Sequence, residues 1–243
     1  MKQPTFLVSM LLVSGLAHAA AGAHWGYTGA EGPENWSNLS PKYSACSGMN
    51  QSPIDLTGLI EADLAPVQFD YKPGGSEVLN NGHTVQVTYA PGSKITLDGR
   101  EFELKQFHFH APSENHIEGR SYPMEGHLVH ADKDGNLAVV AVMFEEGAAN
   151  AALTTSWAEM PEKAGQKRRI AEPVSAEGLL PANRDYYRFN GSLTTPPCSE
   201  GVRWLVMKDP VTASKGQIER FAHVMHHPNN RPVQPINARA VLQ

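Results

Sequence analysis

Two cysteines in 243 residues are too few for a disulfide-dense scaffold, and they cannot hold a zinc ribbon or an iron–sulfur cluster by themselves. Charge is sparse too: Asp, Glu, Lys and Arg make up 19%, with 20 basic residues against 25 acidic ones. The net charge of −5 offers no basic face for nucleic acid. No apolar run reaches the about 20 residues that a membrane-spanning helix needs. No internal repeat, low-complexity tract or domain linker is visible. What the chain does have is 41% hydrophobic residues, enough for a sizeable core, and a length that suits one large β-rich domain. It also has 11 histidines, an excess whose placement carries most of the functional argument.

The N-terminus reads as a signal peptide over residues 1–19. Lys2 is the positive residue, Phe6–Leu16 the short apolar run, and Ala17-His18-Ala19 the cleavage pattern. Residues 20–243 would then form the domain, exported to the periplasm or secreted, with no membrane span. In an oxidising compartment Cys46 and Cys198 are one even pair, which favours a disulfide.

From Gly26 to Pro66, Gly, Pro, Asn and Ser punctuate the chain into loops and short turns. Strands are expected at 67–71, 84–90, 93–97, 103–110, 124–131, 137–145 and 202–208, separated by turn clusters. Pro91-Gly92 and Asp98-Gly99 suggest hairpins and therefore antiparallel pairing. Helical spacing is sparse: Ile218, Phe221, Ala222 and Met225 share a face behind Thr212 or Ser214 as N-cap, and 148–160 is a weaker helix. The fold class is mainly β and mostly antiparallel, a single domain with a few short peripheral helices.

In Gln106-Phe107-His108-Phe109-His110, strand alternation turns Gln106, His108 and His110 to one face and the two phenylalanines to the other. A second candidate strand puts Glu125, His127 and Val129 on one face and His130 on the opposite one. If the two strands pair, His108, His110 and His127 become three neutral ligands for a metal that keeps an open position. Gln106 and Glu125, each two residues before a ligand, are placed to orient the imidazoles. His130 reads as a buried structural residue.

These blocks closely resemble the α-class carbonic anhydrases. The resemblance runs from His24-Trp25-Gly26-Tyr27 through Asn50–Ile54, Asn80–His83, Gln106–His110, Ser113-Glu114 and Glu125–His130. It continues through Tyr186–Phe189, Gly191–Cys198 and Trp204 to Gln234–Asn237, nearly the whole chain after the leader. It implies a large central twisted sheet and a zinc lyase that hydrates carbon dioxide to bicarbonate and a proton through zinc-bound hydroxide. Zn2+ would sit on His108, His110 and His127. Thr194 would accept from the hydroxide and donate to Glu114, which leaves the hydroxide lone pair aimed at carbon. Val129, Val139, Leu193, Val202 and Trp204 would wall the substrate, with Thr194 and Thr195 beside it. His83 would carry the proton out along water ordered by Tyr27, Asn81, Gln86 and Thr195, since an imidazole titrating near neutrality suits that task. A Cys46–Cys198 bridge would pin the threonine loop, and cis bonds are expected at Ser52–Pro53 and Pro196–Pro197.

Some positions depart from the better-known animal pattern: Ala111 follows the second ligand, Asn115-His116 follows Glu114, and the spacing from His110 to His127 is short. These resemble bacterial, exported members of the class. A zinc esterase, a ligand-less binding module and a zinc carrier are the alternatives, and none is favoured by a missing ligand or a histidine-rich loop. His226-His227 reads as a helix end. A homodimer stays open.

Overall fold

The computed structural model describes residues 23–243. The expected signal peptide therefore lies outside the described residues. An arm of 3₁₀ turns and the one-turn helix α1 (Trp36–Leu39) precedes the strands. These are β1 (Asp55–Leu56), β2 (Gln68–Asp70), β3 (Gly75–Asn80), β4 (Val85–Tyr89), β5 (Lys94–Leu97), β6 (Arg100–His110), β7 (His116–Ile117), β8 (Met124–Ala131) and β9 (Leu137–Glu146). After α2 (Ala151–Ser156) come β10 (Lys167–Val174), β11 (Tyr186–Ser192), β12 (Glu200–Met207), β13 (Val211–Ala213) and α3 (Lys215–Met225).

Eleven strands form one sheet with the path β10-β3-β4-β6-β8-β9-β12-β11, in which β5 joins β6 and β2, and β13 joins β9. Pairing is antiparallel except where β12 and β13 run parallel to β9; β1 and β7 form a separate parallel pair. The mainly β, mostly antiparallel single domain expected from the sequence is what forms. β9 shows why the sheet is covered on both sides. Its near-continuous apolar run sends Ala138, Val140, Val142 and Phe144 into one core, and Val139, Ala141 and Met143 into the other.

Two turns that looked alike behave differently. Asp98-Gly99 closes a two-residue hairpin between β5 and β6, with φ of 51° and 74°, the left-handed pair that glycine makes cheap. Pro91-Gly92 closes none, because β4 and β5 do not pair with each other. They lie end to end along β6, Lys94–Leu97 against its first half and Gln86–Thr88 against its second. β3, β10 and β11 were not anticipated. β10 carries Lys167-Arg168-Arg169 at the edge of the sheet, where charge replaces apolar alternation and removes the strand signal. α3 is capped by Ser214, not Thr212, through a capping box with Gln217. α2 is shorter than the expected helix and starts at an Asn150 cap.

β6 contains the feature that builds the site. Phe102 and Leu104 enter the large core, and so do Phe107 and Phe109, although the two pairs differ in parity. The change occurs where β6 meets β8: Leu104 lies opposite His130, yet Gln106 lies opposite Val129, so one extra residue is inserted at Lys105. This bulge turns the second half of the strand over. Without it, the core alternation of Phe102 and Leu104 would continue through His108 and His110.

His130 faces the large core, away from His108, His110 and His127. Its Nδ1–H donates to the Ala138 carbonyl at 3.2 Å, and Nε2 accepts from the Tyr71 hydroxyl at 2.7 Å. That pattern fits only the neutral ring, and burial lowers its pKa to about 3. Below its ordinary value of 6.5 the unfolded chain takes up a proton that the folded chain refuses, so stability falls as pH falls from 6.5 toward 3. Between pH 7 and pH 4.5 this residue should cost about 3 kcal/mol. The stability difference between wild type and His130→Gln, measured by urea unfolding, should shrink by that amount over the range. A constant difference would contradict the assignment.

Candidate metal centre

The register of β6 on β8 sets His108 directly opposite His127, with His110 two residues further along the same face of β6. The three rings lie 4.7 to 5.3 Å apart between centroids. One nitrogen of each ring is already committed. His108 Nδ1–H donates to Gln106 Oε1 at 2.8 Å, His110 Nδ1–H to the Asn229 carbonyl at 2.6 Å, and His127 Nε2–H to Glu125 Oε1 at 2.9 Å. The opposite nitrogens converge, with one ligand atom from each residue within 4.8 Å of the others. Burial holds all three imidazoles below their usual pKa, and for His108 and His127 the neighbouring rings add to it. They are neutral donors at physiological pH.

Glu125 is fixed in turn. Besides His127 it accepts from the backbone N–H groups of Glu114 and Asn115 at 2.7 and 2.8 Å, and from Asn115 Nδ2 at 2.7 Å. Burial raises its pKa and these donors oppose the rise. Asn229 is equally occupied: its side chain binds Ala111 N–H and the carbonyls of Phe109 and His83. Sequence reasoning identified Gln106 and Glu125 from strand parity but missed Asn115 and Asn229. The acceptor on His110 is a backbone carbonyl some 119 positions away, which no local pattern signals.

Glu114 is wholly buried. Its Oε1 accepts from Arg231 N–H at 2.9 Å, while Oε2 has no hydrogen-bond partner and lies 3.5 Å from His110 Nε2 and 3.9 Å from His127 Nδ1. Burial pushes its pKa well up, against the Arg231 N–H and the neighbouring Thr194 hydroxyl, which pull it down. Thr194 sits in the β11–β12 connection, buried at 5% exposure. That connection is held by Cys198 N–H on the Thr195 carbonyl, by Gln51 Nε2 on the Cys198 carbonyl, and by the Cys46–Cys198 disulfide. Arg231, also missed, spans the arrangement: its guanidinium binds Gln51, the Ser52 carbonyl and the Cys46 carbonyl.

On one side of the imidazoles a cavity of about 130 Å³ is lined by Tyr27, Asn81, His83, Gln86, Gln106 and Thr195, together with His108 and His110. Asn81 Oδ1 accepts from His83 and Thr84 N–H, so it shapes the turn carrying His83, and Gly82 supplies the φ of 88° which that turn requires. The His83 ring stacks on Trp25 at 3.7 Å. On the other side Val139, Val202 and Trp204 form an apolar wall with Val129 and Leu193 packed against it, Trp204 meeting His127 edge-on at 4.9 Å. A larger groove of about 980 Å³ lies elsewhere, along the first half of β6, where Lys94, Arg100 and Lys105 pair with Glu101, Asp132 and Glu103. It shares no residue with the imidazole cluster.

The family model described as eukaryotic-type carbonic anhydrase matches residues 31–243. The chain belongs to the carbonic anhydrase family. A carbonic anhydrase of Pectobacterium carotovorum is 49% identical over the full length of both chains. Among solved structures, the α-carbonic anhydrase of Thermovibrio ammonificans in complex with sulfanilamide is 53% identical, with a TM-score of 0.90 over 92% of this chain and 100% of that one. The Photobacterium profundum α-carbonic anhydrase is 50% identical, with a TM-score of 0.86 over 90% and 100%. The chain is an enzyme of this family.

The residues of this carbonic anhydrase chain fit zinc on chemical grounds. His110 Nε2 is buried without a partner, the three neutral nitrogens converge, and an uncompensated carboxylate oxygen of Glu114 stands close by. Burying such groups together costs free energy that a divalent cation offsets. The disulfide fits an oxidising compartment, and among the described residues no helix is long and apolar enough to cross a membrane.

Replacing Gln106 or Glu125 by Ala should weaken zinc binding roughly 10- to 100-fold in chelator competition; wild-type affinity in both would show that these contacts do not orient the ligands. The disulfide closes a loop of 152 residues. Its loss in Cys46→Ser/Cys198→Ser should lower unfolding free energy by up to about 5 kcal/mol on chain-entropy grounds, whereas unchanged denaturant midpoints would deny it a stabilising role.

Proposed function

We propose that this chain is an exported zinc carbonic anhydrase that interconverts carbon dioxide and bicarbonate, with residues 1–19 removed as a signal peptide and 20–243 forming the domain. The observation that carries the reading is the placement of three neutral imidazoles between an apolar wall and a polar cavity, with Glu114 and Thr194 beside them. Zinc, when bound by His108, His110 and His127, makes hydroxide available near neutral pH; for carbonic anhydrases in general the water pKa is about 7.

The chain's own residues then divide the remaining work. Glu114, fixed by Arg231 N–H, accepts a hydrogen bond donated by the Thr194 hydroxyl. Thr194 is thereby left to accept from the attacking oxygen, which fixes the direction of the lone pair. Its backbone N–H serves the substrate oxygen on which charge develops. Val129, Val139, Leu193, Val202 and Trp204 give apolar carbon dioxide a dry surface and offer nothing to a charged product. His83 takes the released proton along water held by Tyr27, Asn81, Gln86 and Thr195. Burial lowers the His83 pKa, and His24 and His227 lower it further, so the ring is a ready acceptor at neutral pH.

Stopped-flow hydration of carbon dioxide by the zinc-replete protein should be fast, and absence of activity in a sample with one zinc per chain would overturn the reading. His83→Ala should lower turnover roughly 10- to 100-fold in weak buffer, with rescue by added imidazole. An unchanged rate would remove His83 from proton transfer. Thr194→Ala should cost about 100-fold in kcat/KM whatever the buffer.

A further inference from the structure

His83 is not isolated at the mouth of the cavity. The N-terminal arm brings His24, paired with Glu31 at 3.5 Å, next to the Trp25 ring on which His83 stacks. The segment after α3 is tied to the same place, because Asn229 Nδ2 donates to the His83 carbonyl at 3.0 Å. Two residues before Asn229 lies His227, partly exposed, its ring 6.0 Å from that of Tyr27, which lines the cavity. The segment before β10 contributes Ala164 against Gly82, flanked by Lys163. Of the charged and titratable groups around His83, then, His24 with Glu31, Tyr27, Lys163 and His227 are those to consider.

His227 is distinguished by its tautomer. Nδ1–H donates to the Pro228 carbonyl at 2.9 Å, which leaves Nε2 as the basic nitrogen. A proton arriving at Nε2 yields an imidazolium whose Nδ1–H keeps the carbonyl bond.

We propose that His227 is a second proton-transfer residue, acting in series after His83. This rests on the carbonic anhydrase reading of the cavity. The N–H bond of the His83 imidazolium breaks, the proton crosses bridging water to His227 Nε2, and a buffer base removes it. No electrons move and both rings end neutral. Burial, with His24 and His227 nearby, lowers the His83 pKa, which favours release over retention.

Two measurements test this. In zinc-free protein, the NMR titration midpoint of His83 should move up in His227→Ala and His227→Gln, because a cationic neighbour is lost. In zinc-loaded protein at limiting buffer, both variants should lower kcat roughly threefold or more while keeping kcat/KM, with recovery at high buffer. Adding His227→Ala to His83→Ala should cost nothing further. An unchanged kcat at limiting buffer, an additive loss in the double variant, or a His83 titration indifferent to His227 overturns the proposal. If the zinc-loaded wild type fails to hydrate carbon dioxide, the functional reading fails instead, and the zinc-free titration still reports whether the two histidines are coupled.

Discussion

Strand alternation places opposing demands on β6. Its two phenylalanines must stay in the large core, while His108 and His110 must leave it to meet His127 across the sheet. Each phenylalanine contributes about 1.5–3 kcal/mol by burial, so a register slip of one residue would lose that stabilisation and bury imidazoles in its place. The extra residue at Lys105 satisfies both demands. It falls where β4 gives way to β5 as the neighbour of β6, so the two halves of the strand answer to different partners. The position of the imidazole cluster depends on this parity change.

Around the imidazoles the structure commits each remaining polar group. Gln106, the Asn229 carbonyl and Glu125 each take one ring N–H, and Glu125 and Asn229 are in turn held by backbone and side-chain partners. Buried polar networks are stable only when satisfied in this way. Arg231 extends the network to the disulfide and to the segment at Ser52, so the loop bearing Thr194 and the segment bearing Glu114 share one support. At the imidazole cluster itself, His110 Nε2 and Glu114 Oε2 are left without partners.

Much of the site was legible in the sequence because period two is a strong constraint. It placed Gln106, His108 and His110 together, set Glu125 and His127 on a shared face, and turned His130 away. The parity conflict between Phe102-x-Leu104 and Phe107-x-Phe109 was also there to be read, as a sign of an inserted residue. Other contributors left no such mark. The Asn229 carbonyl and the Arg231 N–H are backbone groups from the far end of the chain, and their role depends on tertiary placement alone. In the fold, β10 was hidden by its edge charges, and the Pro91-Gly92 turn misled because turn chemistry does not reveal whether the strands it joins pair with each other.

Under the proposed function, His108, His110 and His127 alone hold the metal, and Glu114 stays hydrogen-bonded to Arg231 N–H. Visible absorption of the cobalt-substituted protein, followed against pH, tests it most directly. One cobalt per chain, a tetrahedral spectrum and a single transition at about pH 7 that reports the open position are expected. Failure to bind one cobalt per chain, or a spectrum unchanged from pH 5.5 to 9 as carboxylate ligation would give, would contradict it.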